Sequence, residues 1–156
     1  MEVEKDIKDS LHKCGIRRDV DVGRLNLASK KLTGVPDLSR FHFLRELRLN
    51  NNKSISGTLN HLTCLRLLFL HNNQIRGLED TMHELRRMQQ LQTATFFLNP
   101  ISHEPGYRHH VIHCLPSIQV LDRKEVKSAE RRRSFQMYNQ ERHHVLQSVA
   151  FGRRAP

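Results

Sequence analysis

The sequence predicts an α/β solenoid of about four to five short repeats, with an N-terminal helical cap, a C-terminal cap motif and a long C-terminal basic helix. Three observations carry this reading. One frame of apolar residues recurs in register, starting at Val22, Leu44, Leu65, Leu91 and Ile118. Those starts are separated by 22, 21, 26 and 27 residues, a regularity that chance runs of leucine do not produce. An asparagine closes the frame in three copies, as Asn52, Asn73 and Asn99.

The first element lies ahead of the repeats. From Glu4 to Lys13, Ile7, Leu11 and Cys14 share one face of a helix, and Gly15 is placed to end it. An open solenoid exposes apolar edges, so residues 1–21 read as the cap of the first coil.

The repeats occupy residues 22–122 together with the second cap. In "LRLLFLHNNQI", Leu65, Leu68, Leu70, Asn73 and Ile75 set the frame. Upstream it fits Leu44, Leu47, Leu49 and Asn52, and before that Val22, Leu25, Leu27 and Leu32, with Lys30 at the asparagine position. Downstream it fits Leu91, Ala94, Phe96, Asn99 and Ile101, then a half-copy at Ile118 and Leu121. A lone copy is equally compatible with an amphipathic helix, but four copies in register are not. This is a leucine-rich repeat solenoid: each unit gives a short strand whose alternate side chains enter a shared core that no unit can bury alone. The asparagine turns the chain out of the strand, and its amide can bond the neighbouring coil's backbone. The second unit is a residue short and has Ser54 where a leucine is expected, which makes it the weakest coil. Leu78, Met82, Leu85, Met88 and Leu91 are spaced as a helix on the convex side of the third.

The stretch "NPISHEPGYRHHVIHCLPSIQVLD" follows, rich in histidine. His109, His110 and His113 fall at i, i+1 and i+4 of a helix, so only two could share an ion, and zinc would require His103 or Cys114 to swing across. The expectation is structural or solvated histidines, with no metal and no cofactor. Beyond it, residues 123–156 form a basic extension. Arg123 to Val149 lacks Gly and Pro, which permits a helix of about 40 Å at 1.5 Å per residue, and the terminal "AFGRRAP" carries no packing signal.

Twenty-six Lys and Arg against 16 Asp and Glu give a net charge of +10, and residues 122–156 hold nine cations against four anions. Such a surface favours an acidic partner. The three cysteines lack any CxxC spacing and suit reduced thiols. No secretory signal is visible and no apolar run approaches the roughly 18 residues of a membrane span. No nucleophile with a nearby base, paired carboxylate site or phosphate-cradling glycine loop is present, so a non-enzymatic role is expected.

"NP", then "YR" at 107 and 108, Val111, Leu115-Pro116 and Leu121-Asp122 match the C-terminal cap motif of the short, 22-residue class of leucine-rich repeat proteins. This class includes the spliceosomal A-prime protein, the nuclear regulator of protein phosphatase one and the light chain of axonemal outer-arm dynein. The resemblance implies a helix and turn closing the last coil, with Tyr107 and the Leu-Pro pair packed inward. "CGIRRDVDVGRLNLASKKLTGVPDLSRF", "HELRRMQQLQTATFFLNP", "VLDRKEVKSAERRRS" and "VLQSVAFG" are more closely similar to the leucine-rich repeat-containing protein 72 family, of ciliated-cell and sperm type, with one repeat fewer between Leu44 and Cys64. That resemblance implies a cytoplasmic, cytoskeletal setting in the axoneme of a cilium or flagellum.

Function is expected on the exposed positions of the frame, which form three rows on the concave face. They are Arg24, Glu46, Leu67 and Thr93; Asn26, Arg48, Phe69 and Thr95; and Ala28, Asn50, His71 and Phe97. Leu67, Phe69 and Phe97 put large apolar groups where a solvated strand places polar ones, which predicts a partner-binding patch unless the cap or tail covers it. The tail offers a second surface through Arg131, Arg132, Arg133, Tyr138, Arg142, Val145 and Val149. The expected role is a protein-binding adaptor of an axonemal or tubulin-associated assembly, monomeric within a heteromeric complex, without small-molecule substrate or membrane. The alternative is an RNA-associated ribonucleoprotein component, with Arg131 to Arg133 on phosphates.

Overall fold

The computed structural model describes residues 2–53, 55 and 59–138. It places one strand at each frame position: β1 (Arg24–Asn26), β2 (Glu46–Arg48), β3 (Leu67–Phe69), β4 (Thr93–Thr95) and β5 (Val120–Leu121). These run parallel in sequence order, and β6 (Lys124–Glu125) closes the sheet antiparallel to β5. Leu25, Leu47, Leu68, Ala94 and Leu121, in register across the coils, point inward and are buried. Strand alternation turns their neighbours outward, which produces the expected rows.

Side-chain amides hold the coils together, those of Asn73 and Asn99 fully buried and that of Asn52 half-buried. Asn73 Oδ1 accepts the Asn52 N–H at 2.9 Å while its Nδ2 donates to the Leu70 and Leu49 carbonyls at 2.9 and 3.1 Å. Asn99 repeats this one coil on, taking the Ile75 N–H and donating to Phe96 and Leu70. Asn52 serves the first coil, accepting from Lys30 and Leu32. The last coil uses Asp122 instead: Oδ1 accepts the Phe96 and Phe97 N–H groups at 2.7 and 3.1 Å, and Oδ2 accepts the Tyr107 hydroxyl at 2.6 Å. Burial and this carboxylate push the Tyr107 phenol far above its usual range, so it remains a donor.

Both caps form. Helix α1 (Glu2–Lys13) buries Ile7 against β1, and Leu11 packs at the edge of the core. It ends in a Schellman motif: Gly15 sits at φ 72°, its N–H bonds the His12 carbonyl, and the Ile16 N–H bonds Leu11. Cys14, expected on the apolar face, is exposed at the helix end. At the other end α3 (Tyr107–Cys114) buries Tyr107, Val111 and Ile112, followed by buried Leu115; Pro116, expected inward with it, is exposed.

Two helices depart from the bounds that periodicity predicts. The convex helix α2 (Leu78–Leu85) stops at Leu85, and Met88 and Leu91 reach the core from successive turns, the Met88 N–H on Leu85 and the Leu91 N–H on Met88. A core stripe spaced like a helix is satisfied equally by turns. The tail helix does not start at Arg123. Asp122 and Arg123 have φ 52° and 67°, left-handed at both central positions of a two-residue hairpin, which brings β6 back along β5. The C-terminal helix begins at residue 128 and is described to residue 138. Ser54, Arg142, Val145 and Val149, with the weak-coil and chain-end expectations attached to them, lie outside the described residues.

Replacing Asn73 by Ala would leave one half-buried N–H and two buried carbonyls without this partner. A loss of about 2–4 kcal/mol in urea unfolding, with the slope unchanged, is expected; a loss below about 0.5 kcal/mol would show that the amide ladder does not hold the coils.

Candidate functional site

The concave rows are built as the frame dictates. Arg24, Glu46, Leu67 and Thr93 are successive register partners, as are Asn26, Arg48, Phe69 and Thr95. The third row, Ala28, Asn50, His71 and Phe97, lies just past the strand ends. Leu67, Phe69, His71 and Phe97 are half-buried, and Thr95 is buried. Thr95 therefore offers no free surface: its hydroxyl pairs with His71 Nδ1 at 2.7 Å.

Cations lie over the aromatic rings. The Arg48 guanidinium stands 4.4 Å from the Phe69 ring centroid and also approaches Glu46 at 3.4 Å. Arg123, from the hairpin turn, stands 4.7 Å from the Phe97 ring, whose other contact is His71, stacked at 4.5 Å and 10°. Desolvation, then the Arg123 charge, hold the His71 imidazole below its usual pKa, so this stack is neutral near pH 7. Asn50 Oδ1, at the same end, is the buried side-chain polar atom among the described residues that lacks a donor. A face combining apolar rings with cations laid over them suits a protein segment.

Sequence reasoning missed two members of this site. Arg123, expected in a helix, lies in the hairpin turn. Leu98 follows Phe97 at φ 59° and is 62% exposed. In the repeat frame it corresponds to Ser29, Asn51 and Asn72, all with positive φ, and Asn72 bonds Asn51 through their side chains. Asparagine tolerates this left-handed conformation, whereas leucine is strained there and gains no burial. The signal was legible: a leucine in place of the asparagine that its two preceding counterparts carry.

The histidines of α3 have separate partners. His109 Nδ1 pairs with Ser134 Oγ at 2.9 Å, His110 Nε2 lies 3.5 Å from Cys114 Sγ, and His113 stacks on Tyr138 at 3.6 Å. No group of three or more His, Cys, Asp or Glu among the described residues could hold a metal ion. The His109 and His113 contacts dock the C-terminal helix on α3, reinforced by the bidentate Arg108–Glu130 pair at 2.8 and 3.0 Å. Arg131, expected on a partner, bonds the Pro116 and Ile118 carbonyls instead, whereas Arg132 and Arg133 are exposed. Tyr138, though 37% exposed, spends one ring face on His113.

The family model for leucine-rich repeats matches residues 21–150, and the chain belongs to that family. It is 34% identical to the U2 small nuclear ribonucleoprotein A' of Saccharomyces cerevisiae over 110 residues, 69% of this chain and 46% of that protein. The same identity holds to the Homo sapiens protein of that name over 116 residues, 72% and 44% of the two chains. The chain thus spans about half the length of these relatives. Among solved structures, that of the Drosophila melanogaster SNF/U2A' complex matches with TM-score 0.68 and 25% identity, covering 82% of this chain and 75% of that one. These relatives correct the axonemal expectation: their names place them in a small nuclear ribonucleoprotein, not in the cytoskeleton of a cilium or flagellum. No helix among the described residues is long and apolar enough to cross a membrane.

Two outcomes follow from this geometry. Leu98→Asn removes the strain of a left-handed leucine, so the melting temperature should rise by a few degrees, about 1 kcal/mol; a fall would mean that the leucine packs. Arg108 and its hydrogen bonds hold the Glu130 carboxyl below its usual range. Its stabilisation is therefore full above the unfolded value, about 4.3, and is lost as pH falls through the lower folded value. The difference in melting temperature between the natural chain and Glu130→Gln should shrink below about pH 4, and a difference constant from pH 7 to 3 would contradict the pairing.

Proposed function

We propose that the chain is a non-enzymatic adaptor of a nuclear ribonucleoprotein, holding a protein partner on its concave face. The observation that carries this reading is the patch of Leu67, Phe69 and Phe97, half-buried, overlaid by Arg48 and Arg123 and bordered by strained Leu98. Strain without burial persists where the surroundings impose it and serves contact rather than folding. Kinship supplies the setting: a structural relative was solved as the SNF/U2A' complex, so a solenoid of this shape holds a partner in that assembly.

The partner fitting this face offers an apolar anchor between Phe69 and Phe97 and a carboxylate for Arg48 or Arg123. Arg24, Asn26, Glu46 and Thr93 supply the polar rim. The C-terminal helix offers a second, basic surface through Arg132 and Arg133.

Crosslinking mass spectrometry on the tagged full chain tests this. Small nuclear ribonucleoprotein proteins should be recovered, with crosslinks on the concave rows. Phe69→Glu and Phe97→Glu should each lower recovery roughly 30-fold, about 2 kcal/mol, while the melting temperature holds. Undiminished recovery from both variants would remove the concave face from the proposal.

A further inference from the structure

The edge of the sheet where each coil enters its strand carries a second surface, distinct from the concave face. The residues immediately preceding β1 to β5 are Gly23, Arg45, Arg66, Gln92 and Gln119. Their backbones are linked coil to coil: the Arg45 N–H bonds Gly23, Arg66 bonds Arg45, Gln92 bonds Arg66 and Gln119 bonds Gln92, at 2.7–2.9 Å. Four exposed side chains are thereby stacked at the spacing of neighbouring strands, roughly 4.8 Å.

Arg45 and Arg66 are adjacent like charges, and neither forms a salt bridge among the described residues. Like charges on paired strands are destabilising, so folding gives no reason for the pair. Beside Arg66 a cleft of about 540 Å³ opens between Gln90, Gln92, Gln119 and Arg131, and no carboxylate lines it. Although Arg131 spends hydrogen bonds on backbone carbonyls, it keeps its charge at the cleft wall. Phe43, 56% exposed, stands two residues before Arg45, at the frame position that Gln90 and Ser117 occupy in the cleft. The edge thus combines unpaired guanidinium groups, amides with donors and acceptors, and one exposed ring.

We propose that this edge binds single-stranded RNA, its backbone crossing the coils. Arg45 and Arg66 pair with successive phosphates, the glutamine amides bond sugars and base edges, and Phe43 stacks an unpaired base. An acidic peptide would also meet the arginines, but it has no use for the ring or the amide row. The inference rests on the ribonucleoprotein reading for its setting, though not on the concave face.

The test is fluorescence anisotropy of the full chain with a fluorescein-labelled oligouridylate 12-mer across a sodium chloride series. Arg45→Glu/Arg66→Glu should weaken binding at least 30-fold and reduce the salt slope by about 1.4, two phosphates at roughly 0.7 each. Phe43→Ala should weaken it roughly tenfold with the slope unchanged. All three sites are exposed, and melting curves of each variant check the fold. Phe69→Glu should leave RNA affinity intact. The proposal fails if the arginine pair can be reversed without effect, if the natural chain does not bind the oligonucleotide, or if polyglutamate of equal charge displaces the RNA as well as unlabelled RNA does. Failure here with ribonucleoprotein partners still crosslinked would leave the proposed function standing. RNA binding at the edge without those partners would do the reverse.

Discussion

Everything in this molecule depends on one constraint: the backbone that leaves each short strand must turn inside the core, where its N–H and C=O groups cannot reach water. A strand of three residues has too few ladder bonds to fix its own position. The amides of Asn52, Asn73 and Asn99 satisfy the turning backbone and tie it to the next coil, so register and turn are set by the same atoms. Breaking off the series needs a group with the same acceptors and no further coil to reach. Asp122 is that group, its second oxygen taken by Tyr107 from the cap helix. The solenoid ends where the amide becomes a carboxylate.

With the interior fixed by that ladder and by the leucine frame, the outward positions are free of folding duty, and departures from a solvated composition there carry information. Phe69 and Phe97 on the concave face, Leu98 at a left-handed position and the Arg45–Arg66 pair at the strand entrances each cost the isolated chain something. Each sits where a partner can recover that cost. The C-terminal helix differs in kind: Glu130 and Ser134 pair with Arg108 and His109 of α3, and Arg131 bonds the Pro116 and Ile118 carbonyls just beyond it, so part of its basic face is structural.

Most of the solenoid was legible because a repeat converts weak local signals into a periodic one. The buried positions of five coils, the Gly15 helix end and the inward-facing Tyr107 all followed from spacing or motif. What escaped shares a cause. Met88 and Leu91 are spaced like a helix but lie in turns, since burial fixes where a side chain points and not the backbone that delivers it. Arg123 lacks a Gly or Pro neighbour to announce a turn, so the hairpin was invisible. The axonemal expectation failed for another reason: the cap motif matches a class with ribonucleoprotein and axonemal members alike, whereas the relatives found by overall similarity bear ribonucleoprotein names.

The Arg45–Arg66 row shows how a repeat hides as well as reveals. Each residue taken alone is an ordinary exposed cation or amide, twenty or more residues from the next in sequence. Parallel register brings them into one column, with the ring of Phe43 at one end and an acid-free cleft at the other. A linear polyanion with one unpaired base per step is matched by a linear array of cations and amides with one ring. A folded protein partner is matched instead by the concave face, where the apolar groups are gathered and the curvature surrounds them. The two surfaces lie on adjoining sides of the same strands, so one rigid solenoid can hold a protein and a nucleic-acid strand at a fixed relation without any moving part.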